Sequence, residues 1–398
     1  MQNFTFHNTT KIIFGKDTIG QLGSEVKPFG QKVLFIYGQG AIKRNGVYDQ
    51  AVASLQAAGM EIVEFPGVRA NPVLSHTRAG IALAKSEKVD LVVAVGGGSV
   101  IDEAKAVCAG ACSDNDVWEF YTGASTPERA LPLVAVLTVA ATGSEMNGGT
   151  VIMNEETKEK YGWGNPLLAP KVSILDPTTT FTVGPEYTAY AAVDAVTHLL
   201  ESYFTGCCAG DTNYCAGGTL LQDRYVEGIV RTIIDVTETM IATPNDYAAR
   251  ATFMWAATLA WNGLAPCGVG PWSLPNHMIG HSMSALFDTP HGASLSISLS
   301  GWLPWYLEQS EDNVRKLAQF GKAVFGISAS DPKQAACEAI ESLRGWFRRI
   351  KSPTTLADIH IDDAGLVQVA ENVAICNQHW GMPDYSIDRV TDILKRCC

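Results

Sequence analysis

Asp90-Leu91-Val92-Val93-Ala94-Val95-Gly96-Gly97-Gly98-Ser99 decides how the first half of this chain folds. An unbroken apolar run of this length fits a strand buried on both faces. It leads straight into three glycines and a serine, and residues 101–108 then read as a helix. Such a turn offers backbone N–H groups at the positive end of a helix dipole, where a pyrophosphate binds. Glycine suits the turn because a Cβ would block close approach of the phosphates. The match to G-x-G-x-x-G is incomplete, since Ile101 takes the place of the third glycine. An ordinary tight β–α turn is the competing reading. Asp102, in the first helical turn, suits either a ribose hydroxyl or the helix dipole.

The pattern repeats on either side. Residues 11–15 and 33–37 read as strands, the second broken by Gly38-Gln39-Gly40. Residues 47–58 read as a helix stopped by Gly59, followed by a strand at 60–65 and a helix at 76–88. Further strands read at 133–137, 151–153 and 172–175. Apolar strands alternating with helices predict a parallel α/β sheet. Thr138 and Thr142-Gly143-Ser144 follow a strand end, where ligands of open α/β sheets bind, although turn and N-cap roles explain the same residues. Residues 177–185, rich in Thr, Pro and Gly, read as a linker. Beyond Glu186 helical patterns take over, at 187–204, 219–239, 247–262, 276–287, 314–325, 332–350 and 364–376. The expected organisation is an α/β domain over 1–184 and an all-helical domain over 185–398.

The helical half carries the metal chemistry. His277 and His281 are spaced i, i+4, as are Asp194 and His198, so each pair shares a helix face. His291, in Pro290-His291-Gly292, follows on the next loop or helix start. One carboxylate and several imidazoles make a ligand set for Fe(II) or Zn(II) with room for a substrate oxygen. A packed or surface histidine is the blander reading of each residue alone; the clustering favours the metal. Met278 stands where a zinc protease carries its general-base Glu, which excludes the H-E-x-x-H reading.

Composition narrows the partners. The chain has 398 residues, 46% hydrophobic, with a net charge of −12 and no basic run. Nucleic acid and membrane are therefore excluded as expected partners. The polar start predicts no signal peptide, and ten cysteines without a Cys-x-x-Cys pair predict free thiols in a reducing cytoplasm. The final Cys397-Cys398 reads as a solvated tail rather than a prenylation site.

Motifs along the whole chain resemble one family. Thr10-Lys-Ile-Ile-Phe-Gly15, Gly96-Gly-Gly-Ser-Val-Ile-Asp102-Glu-Ala-Lys105, Ala141-Thr-Gly-Ser-Glu145, Leu175-Asp-Pro177, Asp194-Ala-Val-Thr-His198 and His277 through His291-Gly292 are similar to the iron-containing alcohol dehydrogenases, nearest the NADPH-dependent butanol dehydrogenase and aldehyde reductase branch. The resemblance implies a dinucleotide-binding α/β domain plus an all-α metal-binding domain, the dehydroquinate synthase-like fold. It implies Asp194, His198, His277 and His291 as metal ligands, with His281 beside the metal as a proton carrier. It implies cofactor contacts from Gly97, Gly98, Ser99, Asp102, Thr138, Thr142 and Lys160, with Asn147 close to the site. It implies interconversion of aldehydes and primary alcohols, mainly by aldehyde reduction, in a homodimer.

This sequence departs from the family pattern at Val139, where a second threonine is common, and at Gln39, where NAD-using members often carry an Asp. Ala41 replaces the serine that ends the glycine run in NADPH-using relatives. A 2′-phosphate would then rely on the backbone of Gly38, Gln39 and Gly40 with Lys43. NADP(H) is the expected cofactor, with NAD(H) possible. The rival on the same scaffold is a metal-dependent lyase acting on a phosphorylated substrate. Residues 256–291 contain no Lys or Arg to bind one, which argues against it.

Overall fold

The computed structural model describes residues 1–206 and 219–397. Its strands, in chain order, are β1 (Lys11–Phe14), β2 (Lys32–Gly38), β3 (Glu61–Val68), β4 (Leu91–Gly97), β5 (Leu133–Val139), β6 (Gly149–Asn154), β7 (Glu159–Gly164) and β8 (Val172–Leu175). A six-stranded sheet runs β1-β8-β5-β4-β2-β3, with every pair parallel. Helices α1 (Leu22–Val26), α2 (Ala41–Arg44), α3 (Val47–Ala57), α4 (Leu74–Glu87), α5 (Gly98–Ala111) and α6 (Val117–Thr122) lie among the crossovers. All five residues from Leu91 to Val95 are fully buried, as a strand covered on both faces must be. Val33, Phe35, Tyr37, Val93 and Val95 pack on Leu22, Val26, Ala51 and Leu55 in one core cluster.

Two sequence expectations are corrected here. The strand expected at 151–153 does not join the parallel sheet. It is β6, paired antiparallel with β7. The sequence reading lacks β7, because Glu159-Lys160-Tyr161-Gly162-Trp163-Gly164 mixes charge and glycine and shows no apolar alternation. The first part of the linker expected at 177–185 is packed structure, while the boundary between the two compact units falls within it, at Val183/Gly184. Asp176 caps a 3-10 turn, Pro177–Thr180, through Thr178 N at 2.9 Å. Thr179 Oγ1 donates to Leu137 O at 2.8 Å, and Thr179 and Thr180 are buried.

The remaining helices are α7 (Pro185–Thr205), α8 (Leu220–Ala242), α9 (Tyr247–Ala260), α10 (Pro275–Phe287), α11 (His291–Leu307), α12 (Glu311–Phe325), α13 (Pro332–Arg349), α14 (Asp363–Cys376) and α15 (Ile387–Lys395). Two compact units result. One comprises His7–Val183 with Pro244–Asn262, so α9 belongs to the α/β unit. The other comprises Met1–Phe6, Gly184–Thr243 and Gly263–Cys398 and holds the other helices of this group. Helix α11 was not expected, because Ser294 to Ser300 alternates serine with apolar residues as a strand would. Two of its serines are satisfied within the helix, Ser294 Oγ donating to His291 O and Ser300 Oγ to Ser296 O, each at 2.7 Å, while Ser296 and Ser298 donate to Pro353 O and Asn276 Oδ1.

Among the described residues, no helix is long and apolar enough to cross a membrane. Cys397 is not the solvated tail expected of it. It is buried, and its carbonyl accepts from Leu356 N at 2.9 Å. Cys398 lies outside the described residues.

Candidate active site

The helical unit gathers three histidine side chains around one carboxylate oxygen. Helix α7 places Asp194, His198 and Glu201 at i, i+4 and i+7, on one face. Asp194 Oδ1 accepts no hydrogen bond, although it is buried. His198 Nδ1, His291 Nε2 and His277 Nε2 stand 3.4, 3.6 and 3.8 Å from it. These gaps are too long for good hydrogen bonds. They match two ligands of one ion: tetrahedral bonds of about 2.1 Å separate neighbouring donors by roughly 3.4 Å. A buried carboxylate left without a counter-charge costs several kcal/mol, so the set fits a divalent cation. Ligand atoms of Asp194, His277 and His291 all lie within 4.8 Å of one another, whereas His198 falls outside that group and approaches Asp194.

Three local features build this geometry. Pro275 opens α10, and its helical spacing carries His277 and His281 inward. Asp288, at φ 51, turns the chain before Thr289 and Pro290, and α11 then begins at His291 itself. Gly292 follows because α11 touches the backbone of α7 there: a Cβ would collide with the carbonyl of Tyr190, one turn before Asp194. Gly280 similarly lets α10 lie against Ser294 and Leu295 of α11.

Glu201 is the site residue that sequence reasoning missed. Its Oε1 accepts from His277 N at 2.9 Å and lies 3.1 Å from His277 Nδ1, fixing the ring so that Nε2 points toward Asp194. Asn276 Nδ2 donates to Oε2 at 3.3 Å. The i, i+4, i+7 spacing from Asp194 was the signal available. Burial pulls the His277 imidazolium down, but Asp194 and Glu201 outweigh it and raise the metal-free ring to about 9. Burial, partly opposed by Asp194, lowers His198 to about 4, which leaves a neutral imidazole able to donate a lone pair. His281 is buried too, its ring 5.1 Å from His291 and 6.3 Å from His277, with Trp380 edge-on at 4.9 Å. The sequence reading did not identify Trp380.

The α/β unit holds the second set. The chain order reverses between β2 and β4, the switch point where open sheets bind ligands beyond their strand ends. Gly38-Gln39-Gly40 and Gly97-Gly98-Ser99 stand at those two ends. Thr142 fills the space where a Cβ of Gly98 would be, so glycine is obligatory there. Thr138 lies on β5, next to Val139, which pairs with Gly97.

Asp102 is buried, with Oδ1 accepting from Ser144 Oγ at 2.5 Å and Oδ2 from Val151 N at 3.0 Å. Burial raises its pKa, against the pull of Lys105 and these bonds. Asn147 Nδ2 donates to Gly143 O and Trp261 O, and its Oδ1 accepts from Lys105 Nζ and Gly149 N, which fills all four amide positions. Lys160 is buried and donates to Asn71 Oδ1 at 2.8 Å. Gln39 is exposed. Lys43 lies over the rings of Tyr37 and Tyr48 and 3.7 Å from Glu64, which accepts from both phenols.

The model of "Iron-containing alcohol dehydrogenase" matches residues 9–177, and that of "Fe-containing alcohol dehydrogenase family, C-terminal" matches residues 188–397. The chain is 41% identical to the probable NADH-dependent butanol dehydrogenase 1 of Bacillus subtilis, over 99% of each chain. It is 35% identical to the NADPH-dependent aldehyde reductase YqhD of Escherichia coli, over 92% of this chain and 91% of that one. The crystal structure of NADH-dependent butanol dehydrogenase A from Thermotoga maritima superposes with a TM-score of 0.92 at 41% identity, covering 100% of this chain and 99% of that one.

The contact at Gly292 yields a test. Gly292→Ala should force α11 away from α7, costing about 1–3 kcal/mol as an overpacked position does. The melting temperature should fall and bound metal should fall below that of the wild type. Wild-type stability and metal content would show that the contact does not hold His291 in place.

Proposed function

This chain belongs to the iron-containing alcohol dehydrogenase family, and we propose that it works mainly as an aldehyde reductase preferring NADP(H). It is an oxidoreductase of aldehydes and alcohols that uses a nicotinamide dinucleotide and a metal. The observation that carries the residue-level reading is the ring of three imidazole nitrogens around the buried Asp194 Oδ1. Asp194, His198, His277 and His291 hold one divalent ion, Fe(II) or Zn(II), since an N₃O set suits both.

When bound, the metal supplies Lewis acidity toward a carbonyl oxygen and the dinucleotide supplies the hydride. Asp194 lends the negative charge that retains a dication, and Glu201 keeps the His277 ring oriented. His281 holds a proton at its ring and delivers it to the product alkoxide; its ring lies beside those of His277 and His291. Gly97, Gly98 and Ser99 receive the pyrophosphate through backbone N–H groups and the α5 N-terminus. Thr138, Thr142, Asp102 and Lys160 border the rest of the dinucleotide. Asn147, whose amide is fully engaged within the protein, serves by holding its loop.

The cofactor preference rests on Gln39, which presents no carboxylate to a 2′-phosphate, with Lys43 nearby. The relatives divide on this point by name: the butanol dehydrogenases are called NADH-dependent and the aldehyde reductase NADPH-dependent. A homodimer is the expected assembly, to be checked by light scattering. The deciding assay follows NADPH and NADH consumption over an aldehyde panel, with metal analysis of anaerobically purified protein.

Three variants test the roles. His277→Ala should lose its metal and its turnover while keeping dinucleotide affinity; full metal occupancy would remove His277 from the ligand set. His281→Ala should keep metal and dinucleotide, with kcat lowered about 10²–10⁴-fold. Unchanged kcat with a lower melting temperature would make His281 a packing residue. Gln39→Asp should weaken NADPH relative to NADH by about 1–3 kcal/mol. A wild type with the higher kcat/KM for NADH would overturn the cofactor preference.

A further inference from the structure

Lys105 is fully buried, and the reading of the site so far gives it no task. Its ammonium has three protons and three acceptors: Ser144 Oγ at 2.8 Å, Asn147 Oδ1 at 3.1 Å and Gly149 O at 2.6 Å. Ser144 and Asn147 lie on the loop that follows β5, and Gly149 opens β6. Ser144 passes its own proton to Asp102, one helical turn before Lys105 on α5. The loop is thus bonded twice to a single face of α5, once at Asp102 and once at Lys105.

This has a mechanical consequence at the other end of the loop. Thr142 abuts Gly98 so closely that no Cβ fits between them, and its hydroxyl accepts from Ser144 N at 3.2 Å. Gly98 is the first residue of α5 and part of the Gly97-Gly98-Ser99 turn. Asn147, held by Lys105, ties the same loop to Gly143 O and to Trp261 O after α9. Burial lowers the lysine to about 8, only partly opposed by Asp102 and Glu145.

We propose that Lys105 is a positioning residue of the dinucleotide site: it bonds the Thr142-to-Gly149 loop to helix α5 and so sets the shape of the turn that receives the pyrophosphate. The proposal rests on the assignment of that turn to the pyrophosphate. Without the ammonium the loop loses its fixed distance from Gly98. Dinucleotide affinity then falls, while a complex that does form reacts normally.

Lys105→Met and the milder Ser144→Ala test this in the full-length, metal-loaded protein. NADPH and NADH binding is followed by nicotinamide fluorescence, alongside metal content, melting temperature and steady-state kinetics. Lys105→Met should weaken binding about tenfold or more, the scale of a lost bond to a charged group, and Ser144→Ala, which leaves the ammonium in place, about threefold. KM for the dinucleotide should rise in parallel, with kcat at saturation and KM for the aldehyde close to wild type. Dinucleotide binding within about twofold of wild type in both folded variants would overturn the proposal. So would a fall in kcat and melting temperature with unchanged dinucleotide KM, the signature of a structural role alone. If Lys105→Met does not fold, Ser144→Ala decides.

Ser99→Asp tests the turn assignment separately. An acid at the start of α5 suits the helix dipole but repels a pyrophosphate. Loss of binding in Ser99→Asp with normal binding in the Lys105 and Ser144 variants rejects the proposal alone. Normal binding in all three rejects the turn assignment and the proposal with it.

Discussion

A single buried carboxylate oxygen governs the helical unit. Asp194 Oδ1 accepts no hydrogen bond and is shielded from water, so its charge must be met by a cation. His277, whose ring Asp194 and Glu201 raise to about 9 against its burial, faces that oxygen. The helices that converge here accept close backbone approach at Gly280 and Gly292 to bring their donors together.

The α/β unit solves a different problem. A parallel sheet covered on both faces brings its strand ends together as glycine-rich turns, which have little side-chain packing of their own. Buried polar groups stiffen them. Lys105, Ser144, Asp102 and Asn147 form a network with its hydrogen bonds filled, and such a network specifies one geometry more sharply than apolar packing of similar volume. Glu145, on the same loop, is buried as well; burial raises its pKa and Thr258 Oγ1 lies 2.6 Å from Oε1.

Some of this was legible from short-range pattern alone. Asp194 with His198, and His277 with His281, share faces by helical spacing. The apolar run ending in Gly96 needs both faces covered. Glu201 carried the same kind of signal at i+7 from Asp194, but an acid on a helix has many ordinary uses, and only its bonds to His277 give it one. Helix α11 defeated the pattern. Its serine alternation mimics a strand, and burial on all sides removes the periodicity that marks a helix.

The sequence by itself determined the fold class, the family and the residue types of the metal set, because helical and strand spacing, glycine turns and ligand chemistry are local properties. Only the tertiary structure decided which groups meet. The 3.6 and 3.8 Å separations around Asp194 join α7 to the consecutive helices α10 and α11, far along the chain. Helix α9 belongs to the same compact unit as the sheet although it lies within the helical half of the chain. Lys105, a surface residue by composition alone, is buried because α5 and the loop after β5 close over it. Burial and hydrogen-bond partners depend on long-range packing, and no local pattern encodes them.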